Sequence, residues 1–100
     1  MKAVCRHEDL GLTGHSCHRT APALATQNTV FVNRIRVLRR GDPAGFHTIR
    51  KGLKCAEHNA KINQGSRNVF VERIPMARTS DSFDFGEMFQ GSFDVFSNGL

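Results

Sequence analysis

The chain contains no Trp and no Tyr, so eight Phe supply all of its aromatic packing. It has only three Cys and three Pro in 100 residues. No apolar run approaches the roughly 18–20 residues that a membrane-crossing helix needs. The opening MKAVCRHEDL lacks the apolar stretch of a secretory signal. These absences lead to the expectation of a chain made and kept in the cytosol, or carried elsewhere inside an assembly. Three Cys without a signal peptide also argue against a disulfide framework. Helical periodicity is scarce: Thr48–Asn63 leaves room for one or two turns, but its apolar spacing is poor.

Basic residues are missing from the carboxyl-terminal segment, although the net charge is +5. All 14 Lys and Arg lie at or before Arg78, whereas Asp81, Asp84, Glu87 and Asp94 follow it. The same acidic segment holds five of the eight Phe: Phe83, Phe85, Phe89, Phe93 and Phe96. A split of this kind implies two faces or ends with different partners, or a solvated basic face beside an acidic tail.

What the chain does have is repetition, a report on architecture. Thr29–Asp42 reads TVFVNRIRVLRRGD and Asn68–Asp81 reads NVFVERIPMARTSD. Val30, Phe31, Val32, Arg34, Ile35, Arg39 and Asp42 return as Val69, Phe70, Val71, Arg73, Ile74, Arg78 and Asp81, all at one offset of 39. Each Val-Phe-Val reads as a short strand, rich in β-branched and aromatic residues, that reaches a short turn and a second extended run. The ends of the chain supply a third copy. GSFDVFSNG at Gly91–Gly99 repeats GSRNVFVER at Gly65–Arg73, and VCRHED at Val4–Asp9 parallels VLRRGD at Val37–Asp42.

The expectation is therefore a mostly β domain over residues 1–100, with units at about 91–100 plus 1–9, 29–42 and 68–81. Three Arg-x-x-Asp corners and three Val-Phe strands are joined by long loops at about 10–28, 43–67 and 82–93. Phe31, Phe70 and Phe96 take related positions in the three units and help form the core or a docking base, with the core as the expected place of at least two.

Histidine and cysteine concentrate in the first two loops. GHSCHR carries His15, Cys17 and His18; GFHTIRKGLKCAEH carries His47, Cys55 and His58. His7 and Cys5 sit at the first corner, and the third loop, SFDFGEMFQ, has neither residue type. Imidazole and thiolate are the usual ligands of tetrahedral zinc. Cys55-x-x-His58 is a pair whose side chains can meet one centre across a turn. His47 and His15 complete a three-His, one-Cys site, with Cys17 as the alternate sulfur, and every ligand is expected from the first two loops. The competing reading is surface histidines and a buried apolar Cys. A nucleophilic Cys-His site needs an orienting Asp or Asn and an oxyanion site, and nothing singles out such a set. The chain is not expected to be an enzyme.

In order and spacing these units resemble the PAAR-repeat proteins, whose units typically read Gly-Ser-x-x-Val-Phe-x-Asn-Gly-x-Pro-Ala-Ala-Arg-x-Gly-Asp. Gly65-Ser66-Arg67-Asn68-Val69-Phe70-Val71 through Pro75-Met76-Ala77-Arg78-Thr79-Ser80-Asp81 follows that pattern, and Arg40-Gly41-Asp42 ends the looser copy. The resemblance implies a small cone of pseudo-threefold symmetry that caps a trimeric β-helix spike, one tip per trimer. It implies a monomer on its own, in a contractile phage tail or baseplate (T4-like) or a type VI secretion spike. It also implies a zinc ion at the point, held by His15, His47, Cys55 and His58, with iron left open. No reaction is implied: the tip sharpens a spike that is driven through a target-cell membrane, and no nucleic-acid partner is expected. One departure stands out. Arg34 and Arg73 occupy the turn position where the family has Gly, which counts against a type I′ turn, since that turn needs positive φ at both central residues. The alternative is a small zinc-containing nucleic-acid module built on Arg34, Arg36, Arg39, Arg40, Arg50, Lys51 and Lys54. It explains the charge but not the repetition.

Overall fold

A computed structural model of the chain describes residues 1–97, so the unit expected at 91–100 plus 1–9 lies outside the described residues at its last three positions. Twelve short strands pair two by two, all antiparallel, and no helix forms among the described residues. Six hairpin-like pairs result. β1 (Lys2–Ala3) pairs with β12 (Phe96–Ser97), β2 (Leu10–Leu12) with β3 (Thr20–Pro22), and β4 (Phe31–Val32) with β5 (Ile35–Arg36). β6 (His47–Lys51) pairs with β7 (Lys54–His58), β8 (Phe70–Val71) with β9 (Ile74–Pro75), and β10 (Ser82–Phe83) with β11 (Gly86–Glu87). The molecule is elongated, 43 × 24 × 22 Å.

Three segments close into a ring. Cys5 N–H donates to the Ala77 carbonyl (3.1 Å), Ala77 N–H to that of Leu38 (2.9 Å), and Leu38 N–H back to that of Cys5 (3.0 Å). Successive side chains of an extended segment face opposite ways, and here that alternation sorts the core into two layers. Val4, Val37 and Met76 enter one cluster with Val71, against which Val32 and Val69 pack. Their neighbours Cys5, Leu38 and Ala77 enter the other, with Ala21, Ala23, Ile62, Phe83 and Met88.

Beyond the ring each segment turns at an Arg-x-x-Asp corner. The Asp side chain accepts the backbone N–H of the Arg three residues before it: Arg6 to Asp9 (2.7 Å), Arg39 to Asp42 (2.8 Å) and Arg78 to Asp81 (2.7 Å). All three Asp are buried. A buried carboxylate that satisfies a turn donor explains the residue type at these positions.

Two expectations are corrected. The turns at Asn33-Arg34 and Glu72-Arg73 carry positive φ at both residues (55° and 66°; 48° and 72°), the type I′ signature, without glycine. The right-handed twist of the flanking strands selects that turn, and side-chain ties hold it. Asn33 donates to Asp94 (2.8 Å) and accepts from Ser92 (2.6 Å), while Glu72 accepts from Thr29 and lies 3.8 Å from the Arg39 guanidinium. Second, Phe31, Phe70 and Phe96 are 53%, 55% and 48% exposed rather than core. Within these short strands the inward place goes to the neighbouring residue, as with buried Val71.

The room left for a helix at Thr48–Asn63 is also filled otherwise, by the β6–β7 hairpin. Thr48 and Ile49 favour extended backbone, and Gly52 at φ 63° opens the two-residue loop between Lys51 and Lys54, as a type II′ turn requires.

Candidate metal centre

The β6–β7 register places His47 directly opposite His58 at the open end of the hairpin. His15 arrives from the first loop, just after Gly14 at φ 77°. Asp84 arrives from the third, at the first position of the tight β10–β11 turn with φ 54°. Asp tolerates this left-handed conformation better than most side chains, and Phe83 just before it is fully buried in the larger core cluster. The ligating atoms of His15, His47, His58 and Asp84 all lie within 4.8 Å of one another.

Each imidazole aims Nε2 at the Asp84 carboxylate: His15 at 2.8 Å, His47 at 3.0 Å and His58 at 3.0 Å. The Asp84 side chain is 3% exposed and that of His47 fully buried. The His15 and His47 rings stack at 5.4 Å, with His58 edge-on to both. Phe85 stacks on His58 at 6.0 Å and shields that flank. Burial alone would push the Asp84 carboxyl up, but the hydrogen bonds from His58, His15 and His47 outweigh it and hold the group below its usual value.

The outer nitrogens define what the site can bind. His15 Nδ1 lies 3.0 Å from the Ser16 carbonyl and His47 Nδ1 lies 3.0 Å from the Gly45 carbonyl. A carbonyl oxygen only accepts, so both Nδ1 atoms carry a proton, and the Nε2 facing Asp84 either carries a second proton that bonds the carboxylate or, in the neutral ring, offers its lone pair to the centre. Two lone pairs facing a buried carboxylate repel it unless a cation or extra protons stand between them. A metal ion meets that demand, and the backbone carbonyls then act as the outer partners that fix ring orientation and tautomer in metal-binding histidines. The group can hold a metal ion, and three imidazoles with one carboxylate form a donor set suited to zinc or another divalent transition metal.

Of the four residues expected at this site, His15, His47 and His58 are brought together and Cys55 is not. Cys55 is bonded to Cys17, with Cα atoms 6.0 Å apart, so neither sulfur faces the centre and the chain does carry a disulfide. The reason is the strand. Residues three apart in β7 point to opposite faces, so when His58 faces the centre Cys55 faces away. Asp84, from the loop without His or Cys, takes the fourth place. One carboxylate among nine acidic residues carries no mark of its own in the sequence. The usable signal was architectural: a centre where three loops meet takes ligands from each. The remaining histidines are engaged elsewhere, His18 accepting from Thr48 N–H (2.9 Å) and His7 from Ala25 N–H (2.9 Å).

No family model matches the chain, and no curated protein matches it.

Proposed function

We propose that this protein is a structural spike tip of the PAAR-repeat kind, without enzymatic activity. It caps the end of a trimeric β-helix spike in a contractile phage tail, with a type VI secretion spike as the other setting. In this reading the three corners and Val-Phe strands are copies of one unit around a pseudo-threefold axis, and the molecule tapers from the Phe end to the metal end. The observation that carries it is the exposure of Phe31, Phe70 and Phe96, at 53%, 55% and 48%. Three half-exposed aromatics at matched positions suit a partner that offers the same apolar contact three times. The blunt end of a trimeric β-helix does so and must be capped, because its strand edges and core are otherwise open. The cyclic hydrogen bonding of Cys5, Leu38 and Ala77 supports the same reading.

The metal, zinc in this proposal and iron as the alternative, ties the three loops at the far side of the ring. Bound, it supplies a cross-link that resists load when the spike crosses a target membrane, and it forms only in the folded chain. Each histidine would hold one coordination position and Asp84 would supply the negative charge, while Phe85 lies against the His58 ring. The nucleic-acid alternative is weakened by its own residues: Arg39 is buried and bonded to Thr26 and the Val71 carbonyl, so part of the basic stretch is internal.

Mixing the purified chain with a trimeric β-helix spike fragment and measuring mass under native conditions tests the proposal. One chain per trimer is expected, with loss of the complex in a Phe31→Ser, Phe70→Ser, Phe96→Ser variant that still folds. Absence of a complex, or one indifferent to the three substitutions, overturns it.

A further inference from the structure

We propose that the Cys17–Cys55 disulfide positions the metal centre, so that metal retention depends on redox state. The inference rests on the reading that His15, His47, His58 and Asp84 hold a metal. The disulfide spans 38 residues and joins the two loops that supply all three histidines. Cys17 lies two residues beyond His15, and Cys55 lies three before His58 on the hairpin that also carries His47.

Without the bond, His15 keeps its Asp84 contact (2.8 Å) and the support of the buried Thr13 hydroxyl, which donates to the His18 carbonyl (2.6 Å), but the loop beyond it loses its covalent tie to the hairpin. Residues 14 and 16–19 are exposed. The other ties to the hairpin are a bridge from Cys17 to Ile49, the His18 N–H to the Thr48 carbonyl (3.2 Å), the Thr48 N–H to His18 Nδ1 (2.9 Å), and the exposed His18–Thr48 side-chain contact. Exposed hydrogen bonds with few apolar contacts mark the segments that open first. Cys17 also holds φ 79°, a conformation that non-glycine residues leave when nothing enforces it. Freed from Cys55, the loop relaxes there and withdraws His15 from the centre.

Both sulfurs belong to exposed residues, so a reductant reaches them. A trialkylphosphine takes the bond apart with balanced chemistry: phosphine, disulfide and water give phosphine oxide and two thiols. The third cysteine does not interfere. Cys5 is fully buried, and burial pushes its thiol far above the usual range, with Asp9 and Asp81 adding to the effect.

The test is zinc affinity, measured by competition with a chromophoric chelator, for the oxidised chain, the phosphine-reduced chain and a Cys17→Ser, Cys55→Ser variant. The variant removes thiols that could themselves bind zinc. It is expected to bind roughly 10–100-fold more weakly than the oxidised chain, the range for lost outer-shell support, and to ignore phosphine, while the oxidised chain weakens when phosphine is added. A disulfide that acted on stability alone would lower the metal-free melting temperature and leave the affinity of the folded protein unchanged, which overturns the inference while the metal site stands. Oxidised protein that binds no zinc overturns the metal reading, and the inference with it.

Discussion

Replacing Asp84 by Asn separates the two candidate fourth ligands. The substitution keeps the volume and the turn but removes the negative charge that three imidazoles face at 2.8–3.0 Å. Losing outer-shell support already weakens metal sites about 10–100-fold, so loss of a direct anionic ligand is expected at or above 100-fold. Metal bound only to the folded state stabilises it in proportion to the logarithm of its excess over Kd. A 100-fold loss therefore removes about 2.7 kcal/mol at fixed, saturating zinc. For a domain of this size each kcal/mol moves Tm by about 4–8 °C, so the zinc-dependent rise should shrink by roughly 11–22 °C. The assay is a pair of melting curves, with and without zinc, for wild type and Asp84→Asn, read beside the chelator competition. If Asp84→Asn keeps the full zinc-dependent rise while Cys55→Ser abolishes it, sulfur is the ligand and the argument from strand alternation is wrong.

The metal-free centre has a pH signature of definite sign. The Asp84 carboxyl titrates below its ordinary 3.8 in the folded protein. Its stabilisation is thus complete above that value and is lost as pH falls through the depressed one. Melting of metal-free wild type should fall toward that of Asp84→Asn as pH falls through this acid window, and a gap that stays constant across it contradicts the assignment. Gly11→Ala should destabilise by about 1–3 kcal/mol through overpacking, because a Cβ there meets the Phe83 ring at 2.3 Å and the Met88 sulfur at 2.8 Å. Phe83→Leu in the same chain should make the two losses less than additive in denaturant unfolding, and strict additivity refutes the clash. Asp81→Asn should cost more than Asp9→Asn, since the Arg78–Asp81 pair is 3%/1% exposed and Arg6–Asp9 is 12%/12%. Removing one charge of a buried pair costs about 3–5 kcal/mol, and equal losses in parallel unfolding curves refute that ranking.

What the sequence showed was local. The β character follows from Val-Phe-Val runs, and the corners from an Asp three residues after an Arg, both of which lie within a few residues. The three histidines were legible because imidazoles are few and cluster in two loops. The rest depends on register. Whether Cys55 joins His58 or Cys17 is decided by which face of β7 each occupies, and a two-ligand spacing cannot reveal that until the segment is known to be a strand. The exposure of Phe31, Phe70 and Phe96 was hidden for a related reason: strands of two residues are too short to display an apolar–polar alternation. The glycine-free type I′ turns were misread because their support comes from other segments, Asp94 and Ser92 for one and Thr29 and Arg39 for the other.

The asymmetry of the loops gains a purpose once Asp84 is included. His15 comes from the first loop, His47 and His58 from the second, and Asp84 from the third, so no loop is left outside the centre. Three neutral imidazoles with a doubly charged cation would leave a buried excess of two charges, and one carboxylate reduces it to one. Buried charge is tolerated only when compensated, which explains why the loop that lacks His and Cys contributes an acid. The same loop threads Phe83 into the core on one side of Asp84 and stacks Phe85 over His58 on the other. A ligand that follows a fully buried Phe83 directly, in a left-handed turn and with three imidazoles on its carboxylate, has little freedom to move.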